Sequence, residues 1–271
     1  MIRDITLGQY YQTDSYIHRL DPRTKIAGTF LFIITLFLAK NAIGYCVAAA
    51  FLFGAIKLSK VPFKYMIRGM KAIIVLMLLT VIFNLFMTKG EVVLSFWKIS
   101  ISKEGIDGAV KMAIRLTFLI LGSSLMTLTT TPNSLTDGLE NLLNPLKKIK
   151  VPVHEIAMMM SIALRFIPIL IEETDKIMKA QMARGADFES GSIIKRAKAL
   201  VPLLVPLLIS AFRRAGDLAM AMEARCYRGD IGRTRMKPLK YKKADYLSYI
   251  VIFVTMILVI AFGRNLGWIY G

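Results

Sequence analysis

The sequence predicts an all-α membrane protein with about five transmembrane helices and three further long helices that are cytosolic or interfacial. Of its 271 residues, 55% are hydrophobic, and the mean hydropathy of +0.55 is too high for an ordinary soluble domain. The formal net charge is nevertheless +18, so basic segments must alternate with apolar spans and stay in water or at the lipid headgroups. Apolar residues also recur at helical spacing within the longest basic stretch.

Four of the spans are predicted in the first half of the chain. The run from Ile26 to Leu58 is apolar apart from Lys40 and Asn41, and it is too long for one span, so it predicts a hairpin of two short spans. The next segment, KLSKVPFKYMIRGMK, contains five basic residues and no acidic one, which places it in the cytosol. A third span, Ala72 to Met87, and a fourth, Ala109 to Thr130, flank a loop of balanced charge that fits the outer face.

The stretch from Pro132 to Lys243 contains twenty Lys or Arg and eleven Asp or Glu, which is half of the excess charge of the chain. Its first helix is predicted from Ser134 to Ile149, with Ser134 as the N-cap. The second is predicted from Pro152 to Arg184, about 45 to 50 Å long, with a kink at its internal Pro168.

The third helix is predicted from Ser192 to Tyr227, and a last span follows from Tyr246 to Phe262. The apolar parts of the second and third helices, 156–171 and 199–212, could also be spans. We interpret them as buried or interfacial helices because Arg165 and flanking charges interrupt them.

The predicted organisation therefore has three parts. Residues 1–131 contain the N-terminal segment and four spans, residues 132–243 form a cytosolic domain, and residues 244–271 contain the last span. The N-terminus is expected in the cytosol and the C-terminus outside. No cleaved signal peptide is expected, because the polar N-terminus lacks an apolar stretch followed by a small-residue cleavage site.

Two copies of the pattern Ala-x-x-Ala-Arg close the second and third long helices, at 180–184 and 221–225. Small residues at i and i+3 lie on one helical face, and the Arg follows where the helix stops. Such a guanidinium can bind a carboxylate of a neighbouring protein with two hydrogen bonds. Alternatively, each Arg satisfies only the terminal carbonyls of its own helix.

These motifs resemble the signature of the transmembrane T components of energy-coupling factor transporters, in which two short x-Arg-x motifs, usually Ala-Arg-Gly, end the coupling helices. The matching residues are Ala183, Arg184, Gly185, Ala224, Arg225 and Cys226, and Cys226 departs from the usual Gly. The segment from Asp14 to Lys25 is also similar to the N-terminal lead of that family, and the similarity covers essentially the whole chain.

The resemblance implies a scaffold in the cell membrane that joins two cytosolic ABC-type ATPases to a small membrane protein, the S component, which captures a vitamin or similar micronutrient. The two Arg motifs would bind the ATPases, one each, and ATP and Mg²⁺ would be bound by the ATPases, so this chain needs no cofactor of its own. The N-terminus and length favour a module shared by several S components over a dedicated cobalt, nickel or biotin type. We assign the S-component contact to the apolar run of the third helix, comprising Pro202, Leu203, Leu204, Pro206, Leu207 and Leu208.

Other functions lack the residues that they require. The chain has no G-x-x-x-x-G-K-[ST] segment to hold ATP phosphates, and neither His18 nor His154 has partners at metal-ligand spacing. No basic stretch is interleaved with aromatic residues for nucleic acid. A secondary transporter needs ionisable groups at mid-membrane, which the predicted spans almost lack, and no nucleophile or acid-base pair suggests a membrane enzyme.

Overall fold

A computed structural model describes residues 10–39, 41–71, 73–88, 92–96, 99–186, 188, 192–229, 236 and 238–265. These ranges are almost entirely helical, with one short pair of strands. The elements are α1 Pro22–Leu38, α2 Ala42–Ser59, α3 Phe63–Lys71, α4 Ile74–Met87, β1 Val92–Phe96, β2 Ile99–Ser102, α5 Lys103–Thr129, α6 Pro132–Leu143, a 3₁₀ helix Asn144–Ile149, α7 Val153–Ala183, α8 Ile193–Ala224 and α9 Lys243–Asn265.

The predicted hairpin of two short apolar helices is confirmed by α1 and α2. Asp21 caps α1, since its carboxylate accepts a hydrogen bond of 2.9 Å from the backbone N–H of Arg23. Pro22 occupies the first helical position, where its missing N–H costs nothing. At the other end of the hairpin, α2 stops where Lys60 takes the left-handed conformation with φ 55°.

The basic segment after α2 and the loop before α5 both contain structure that the sequence did not predict. The basic segment forms the short helix α3. The strands β1 and β2 pair antiparallel, with Phe96 opposite Ile99. Of the predicted third span, Ala72 lies outside the described residues and the helix α4 begins at Ile74.

Within the described residues, four helices are long and apolar enough to cross a membrane, namely α2, α5, α7 and the Lys243–Phe262 part of α9. The helices α1 and α4 are apolar but shorter, with 17 and 14 residues. The all-α membrane architecture is thereby confirmed. By length and composition α7 also qualifies as a span, so its predicted cytosolic or interfacial position stays a prediction, as does the number of five spans.

The start of α6 corrects one prediction. The helix begins at Pro132, and Thr131 Oγ1 accepts a hydrogen bond of 3.3 Å from the backbone N–H of Ser134. Thr131 is therefore the capping residue, and Ser134 lies inside the first turn instead. The predicted bounds of α7 are confirmed to within one residue, whereas α8 ends at Ala224, three residues before the predicted Tyr227.

The chain separates into two compact units, of which one is Glu140–Pro238 and the other combines Gly8–Leu139 with Leu239–Gly271. In the first unit α7 packs on α8. In the second, α1 and α2 pack on α5 and α9, and α4 packs on α5. A buried apolar core fills that second unit, formed by Phe32, Leu36, Ala48, Leu52, Ile56, Val61, Met66, Leu121 and Leu128. The three sequence-based domains were drawn from charge and hydropathy, and they remain a prediction.

Candidate docking site at two helix ends

The end of α7 is a Schellman motif, and Arg184 occupies its backbone C-cap position. Arg184 has φ −90° and ψ 8°, and Gly185 follows in the left-handed region with φ 87°. The N–H of Gly185 donates to the carbonyl of Met182, and the N–H of Ala186 donates to that of Gln181, each at 3.0 Å. These two bonds satisfy the carbonyls that would otherwise be orphaned at the helix end.

The end of α8 repeats this geometry. Arg225 has φ −92° and ψ 14°, and Cys226 takes the left-handed position with φ 54°. The N–H of Cys226 donates to the carbonyl of Glu223 at 2.8 Å, and the N–H of Tyr227 donates to that of Met222 at 3.1 Å. The departure from Gly at this position therefore leaves the fold of the helix end unchanged, although a side chain now occupies a conformation that favours glycine.

This geometry argues against the reading in which each arginine caps its own helix. At each helix end two of the terminal carbonyls already receive backbone N–H groups, so these carbonyls do not need the guanidinium group. Arg184 and Arg225 are both exposed, and their side chains form no hydrogen bond or ion pair with any described residue. Ala183 and Ala224 are exposed beside them, and their small side chains leave room for a partner next to each arginine.

The packing of α7 on α8 shows how the two arginines are placed. An ion pair joins Glu173 of α7 to Arg214 of α8 at 3.2 Å. Further along α7, Gln181 Nε2 donates to the carbonyl of Pro202 at 3.4 Å, a position that lies earlier in α8. The helices therefore run antiparallel. Between them lies a half-open cavity of about 290 Å³ lined by Ile162, Phe166, Leu170, Ala211, Arg214, Ala215, Leu218, Ala219 and Met222.

Antiparallel packing puts the two arginines on opposite sides of the ion pair. Eleven residues separate Glu173 from Arg184, and eleven separate Arg214 from Arg225. At about 1.5 Å per residue, each arginine lies about 17 Å along its helix from the ion pair, in opposite directions. The two guanidinium groups therefore lie far apart along the helix pair and do not combine into one cluster.

The apolar run of α8 that the sequence assigned to partner binding is only partly accessible. Leu204 and Leu208 are 55% and 59% exposed, and Pro202 is also exposed. Pro206 and Leu207 are half-buried, and Leu203 is buried. This surface is extended by four further exposed apolar residues at helical spacing, Val201, Val205, Ile209 and Phe212. The sequence did not predict them, because periodicity does not show which face of a helix is covered.

The N-terminal segment that carries the second part of the resemblance is fixed by a buried polar network. Asp21 forms an ion pair with Arg23 at 3.0 Å, and the guanidinium of Arg23 lies 4.0 Å from the ring centroid of Tyr241. The carboxylate of Asp245 is fully buried and accepts the backbone N–H groups of Asp21 at 2.8 Å and Lys242 at 2.7 Å. This network joins the starts of α1 and α9.

The histidines hold structural positions. His18 lies between the hydroxyl of Ser15, at 2.7 Å from Nδ1, and the carbonyl of Tyr11, at 3.0 Å from Nε2. Desolvation of its partly buried ring lowers the pKa of His18 below the ordinary value. His154 Nδ1 lies 3.0 Å from the carboxylate of Glu140. In the ranges that the structure describes, no three His, Cys, Asp or Glu side chains gather at a metal-binding distance.

Comparisons with known proteins agree on one family. The sequence profile of the cobalt transport protein family, CbiQ, matches residues 13–238. A relative from Ruminiclostridium cellulolyticum, named energy-coupling factor transporter transmembrane protein EcfT, is 54% identical over 97% of this chain and 99% of its own length. Relatives with the same name from Clostridium kluyveri and Bacillus subtilis are 56% and 48% identical, over 94% and 97% of this chain and 95% and 100% of their own lengths.

Proposed function

Because this chain belongs to the family of energy-coupling factor transporter transmembrane proteins, within the broader cobalt transport protein family, we propose that it is the coupling scaffold of an ATP-driven importer. It links two cytosolic ATPases to a membrane S component that captures a vitamin or similar micronutrient. The observation that carries this proposal is the pair of matched helix ends at Arg184 and Arg225, whose guanidinium groups are exposed and unpaired among the described residues.

An exposed arginine on a rigid helix end is suited to a carboxylate in a groove of another protein. The Schellman hydrogen bonds fix the backbone of each Arg, so little backbone entropy is lost on binding. The planar guanidinium then forms two parallel hydrogen bonds with a carboxylate, which gives geometric specificity as well as energy. The residues Ala183 and Gly185, and Ala224 and Cys226, flank the two arginines in the proposed contacts with the ATPases.

The separation of the arginines supports two ATPase partners, one for each arginine. The arginines lie on opposite sides of the Glu173–Arg214 ion pair, about 17 Å from it along each helix. A pair of ATPases that move relative to each other during ATP binding and hydrolysis would therefore move both helices. ATP and Mg²⁺ are bound and used by those partners, and this chain is a non-catalytic subunit without a cofactor.

The S component is proposed to contact the exposed apolar surface of α8, which includes Leu204 and Leu208 together with Pro202, Pro206 and Leu207. A contiguous apolar surface of this kind on a helix typically marks a protein or membrane contact. In this arrangement the N-terminus and the region of α7 and α8 lie on the cytosolic side of the cell membrane, where ATP is available. The scaffold is proposed to serve several S components.

Charge reversal tests the docking role. In the double variant Arg184→Glu and Arg225→Glu, each new carboxylate repels the acidic group that bound the guanidinium, so co-purification of the ATPases in mild detergent should fall at least about tenfold, which corresponds to about 1.4 kcal/mol. Arg213→Glu is the matched control, because Arg213 is exposed on α8 away from both helix ends. Undiminished co-purification of the double variant would refute the docking role.

Reconstitution tests the dependence on partners. The purified chain alone in vesicles should take up no vitamin, whereas the chain with two ATPases and an S component should do so when ATP is supplied on the ATPase side. Uptake by the chain alone would refute the coupling function and favour a secondary transporter.

A further inference from the structure

The unit that combines Gly8–Leu139 with Leu239–Gly271 contains a large apolar cavity with one charged group in its wall. The cavity has a volume of about 540 Å³, which is within the range of about 300 to 1,000 Å³ for ligand sites. It is bounded by the N-terminal segment, α1, α2, α5 and α9. Among the described residues that line it, Lys25 is the only charged one.

The ammonium group of Lys25 retains a free donor. Its Nζ donates to the backbone carbonyls of Thr129 at 2.8 Å and His18 at 3.1 Å. An ammonium group has three N–H donors, so these two bonds leave one. Within the described part of the chain, Lys25 forms no ion pair with a carboxylate.

The two carboxylates whose charges act on Lys25 are engaged elsewhere. Asp21 forms an ion pair with Arg23, and Asp245 accepts two backbone N–H groups. The hydroxyls of Thr29 and Ser248, which also line the cavity, each donate to a backbone carbonyl of their own helix. The free N–H of Lys25 is therefore the positively charged donor that can bind an anion at the apolar wall.

We propose that this cavity binds a phospholipid, with an acyl chain along the apolar wall and the anionic headgroup phosphate at Lys25. The chain is a membrane protein, so lipid is the solvent of the apolar surfaces of these helices. A single positive charge beside an apolar cavity of this volume is complementary to one anionic amphiphile. This site lies outside the contacts of the proposed coupling function and does not depend on them.

The size of the cavity favours an acyl chain over a helix of a partner protein. One turn of an α-helix, about 10 Å wide and 5.4 Å high, occupies about 420 Å³. The cavity of about 540 Å³ would thus hold little more than one turn of a transmembrane helix that needs about twenty residues. A flexible hydrocarbon chain can instead follow the irregular wall.

Gly54 offers a direct way to fill the cavity. It lines the cavity from α2, and a Cβ atom placed on it meets nothing within 4 Å, so a larger side chain enters open space. Gly54→Phe should therefore block the acyl chain and still allow folding, and Gly54→Leu is a smaller second variant. Gly216→Phe is the matched control, because Gly216 of α8 also has open space at its Cβ and lies outside the cavity.

The experiment uses the full chain in vesicles of phosphatidylcholine and phosphatidylglycerol, with a trace of phosphatidylglycerol that carries a photoreactive diazirine in one acyl chain. Cross-linked peptides are mapped by mass spectrometry. Labelling should concentrate on the helices that line the cavity. It should fall at least about tenfold in Gly54→Phe, because the aromatic ring displaces several methylene groups of the acyl chain, and it should fall partly in Gly54→Leu. In Gly216→Phe it should stay unchanged.

A second comparison tests the headgroup contact. A phosphatidylcholine probe with the same diazirine should label the cavity more weakly than the phosphatidylglycerol probe. Lys25→Met should abolish this preference and Lys25→Arg should retain it. Millimolar inorganic phosphate should leave the labelling unchanged, because the acyl chain provides most of the binding.

Three results would overturn the proposal. Labelling spread evenly over all exposed apolar surfaces, with no loss in either Gly54 variant, would show that the cavity holds no lipid. Equal labelling of the wild-type chain by both probes would refute the role of Lys25. Loss of labelling in the assembled transporter, with retention in the isolated chain, would show that a partner protein fills the cavity instead.

Discussion

The backbone at Gly185 provides a quantitative test of the docking geometry. Gly185 has φ 87°, and a Cβ atom at this position would meet nothing within 4 Å. The cost of Gly185→Ala is therefore conformational and not steric. A left-handed conformation costs an L-residue about 1–2 kcal/mol. Alanine also makes the unfolded chain less flexible than glycine does, which favours the folded state by about 0.4–1 kcal/mol and offsets part of that cost. The net effect is a loss of about 1 kcal/mol at the end of α7.

Hydrogen exchange measures this loss locally. A loss of about 1 kcal/mol corresponds to about fivefold faster exchange at the amides that close the Schellman motif, those of residues 185 and 186. The reverse substitution, Cys226→Gly, should slow exchange at residues 226 and 227, because Cys226 has φ 54° in the native helix end. The frayed end in Gly185→Ala should also weaken ATPase binding without any change of charge.

Gly216→Ala is the control for these substitutions. Gly216 lies inside α8 and a Cβ there meets nothing within 4 Å, so alanine should stabilise the helix by about 0.5–1 kcal/mol. The reasoning predicts opposite effects at the helix end and in the helix interior. If Gly185→Ala slows exchange, or leaves it unchanged, the left-handed backbone at Gly185 is not what fixes the helix end.

Two further predictions concern the unit that combines Gly8–Leu139 with Leu239–Gly271. Gly122→Leu should destabilise this unit by about 1–3 kcal/mol, because even a Cβ at Gly122 would lie 3.0 Å from the ring of Phe32. The midpoint of thermal unfolding in detergent should therefore fall. An unchanged midpoint would contradict the close packing of α1 and α5. Asp245→Asn should lower the free energy of unfolding by about 1–3 kcal/mol in the same assay, because one of the two backbone N–H groups then faces an amide donor. Asp107→Asn is the control and should cost little, because it removes only an exposed ion pair.

The sequence predicted the ends of α7 well because its flanking residues have strong conformational preferences. Pro152 lies just before the first helical residue, and Gly185 supplies the left-handed residue after the last. The end of α8 lacks such a residue, since a cysteine takes the left-handed position. That helix was accordingly predicted three residues too long.

Contacts between distant residues were not predictable from local patterns. The position of His154 near the start of α7 does not reveal that its ring forms a hydrogen bond with Glu140 of the preceding helix α6. The antiparallel packing of α7 and α8 also depends on pairs such as Glu173 and Arg214, which are 41 residues apart. Helical periodicity shows that an apolar face exists but not which helix covers it, and for this reason Leu203 was grouped with its exposed neighbours.

Short elements were missed for a different reason. The helix α3 has nine residues, and its sequence was read through its basic charge alone. The strands β1 and β2 have five and four residues, and from the sequence their segment was interpreted only as a loop of balanced charge that fits the outer face. Segments of this length contain too few periods for a pattern to stand out, so tertiary context decides their structure.

The positions of the prolines suggest how movement at the arginines is transmitted. The segments between the ion pair and the arginines, 173–184 and 214–225, contain no proline, so each keeps an uninterrupted helical hydrogen-bond pattern and acts as a stiff arm of about 17 Å. Pro168, Pro202 and Pro206 all lie on the other side of the ion pair from the arginine of their own helix. We therefore expect each arm to transmit a displacement of its arginine to the Glu173–Arg214 contact. Bending is then concentrated at the prolines, two of which lie within the apolar surface proposed for the S component.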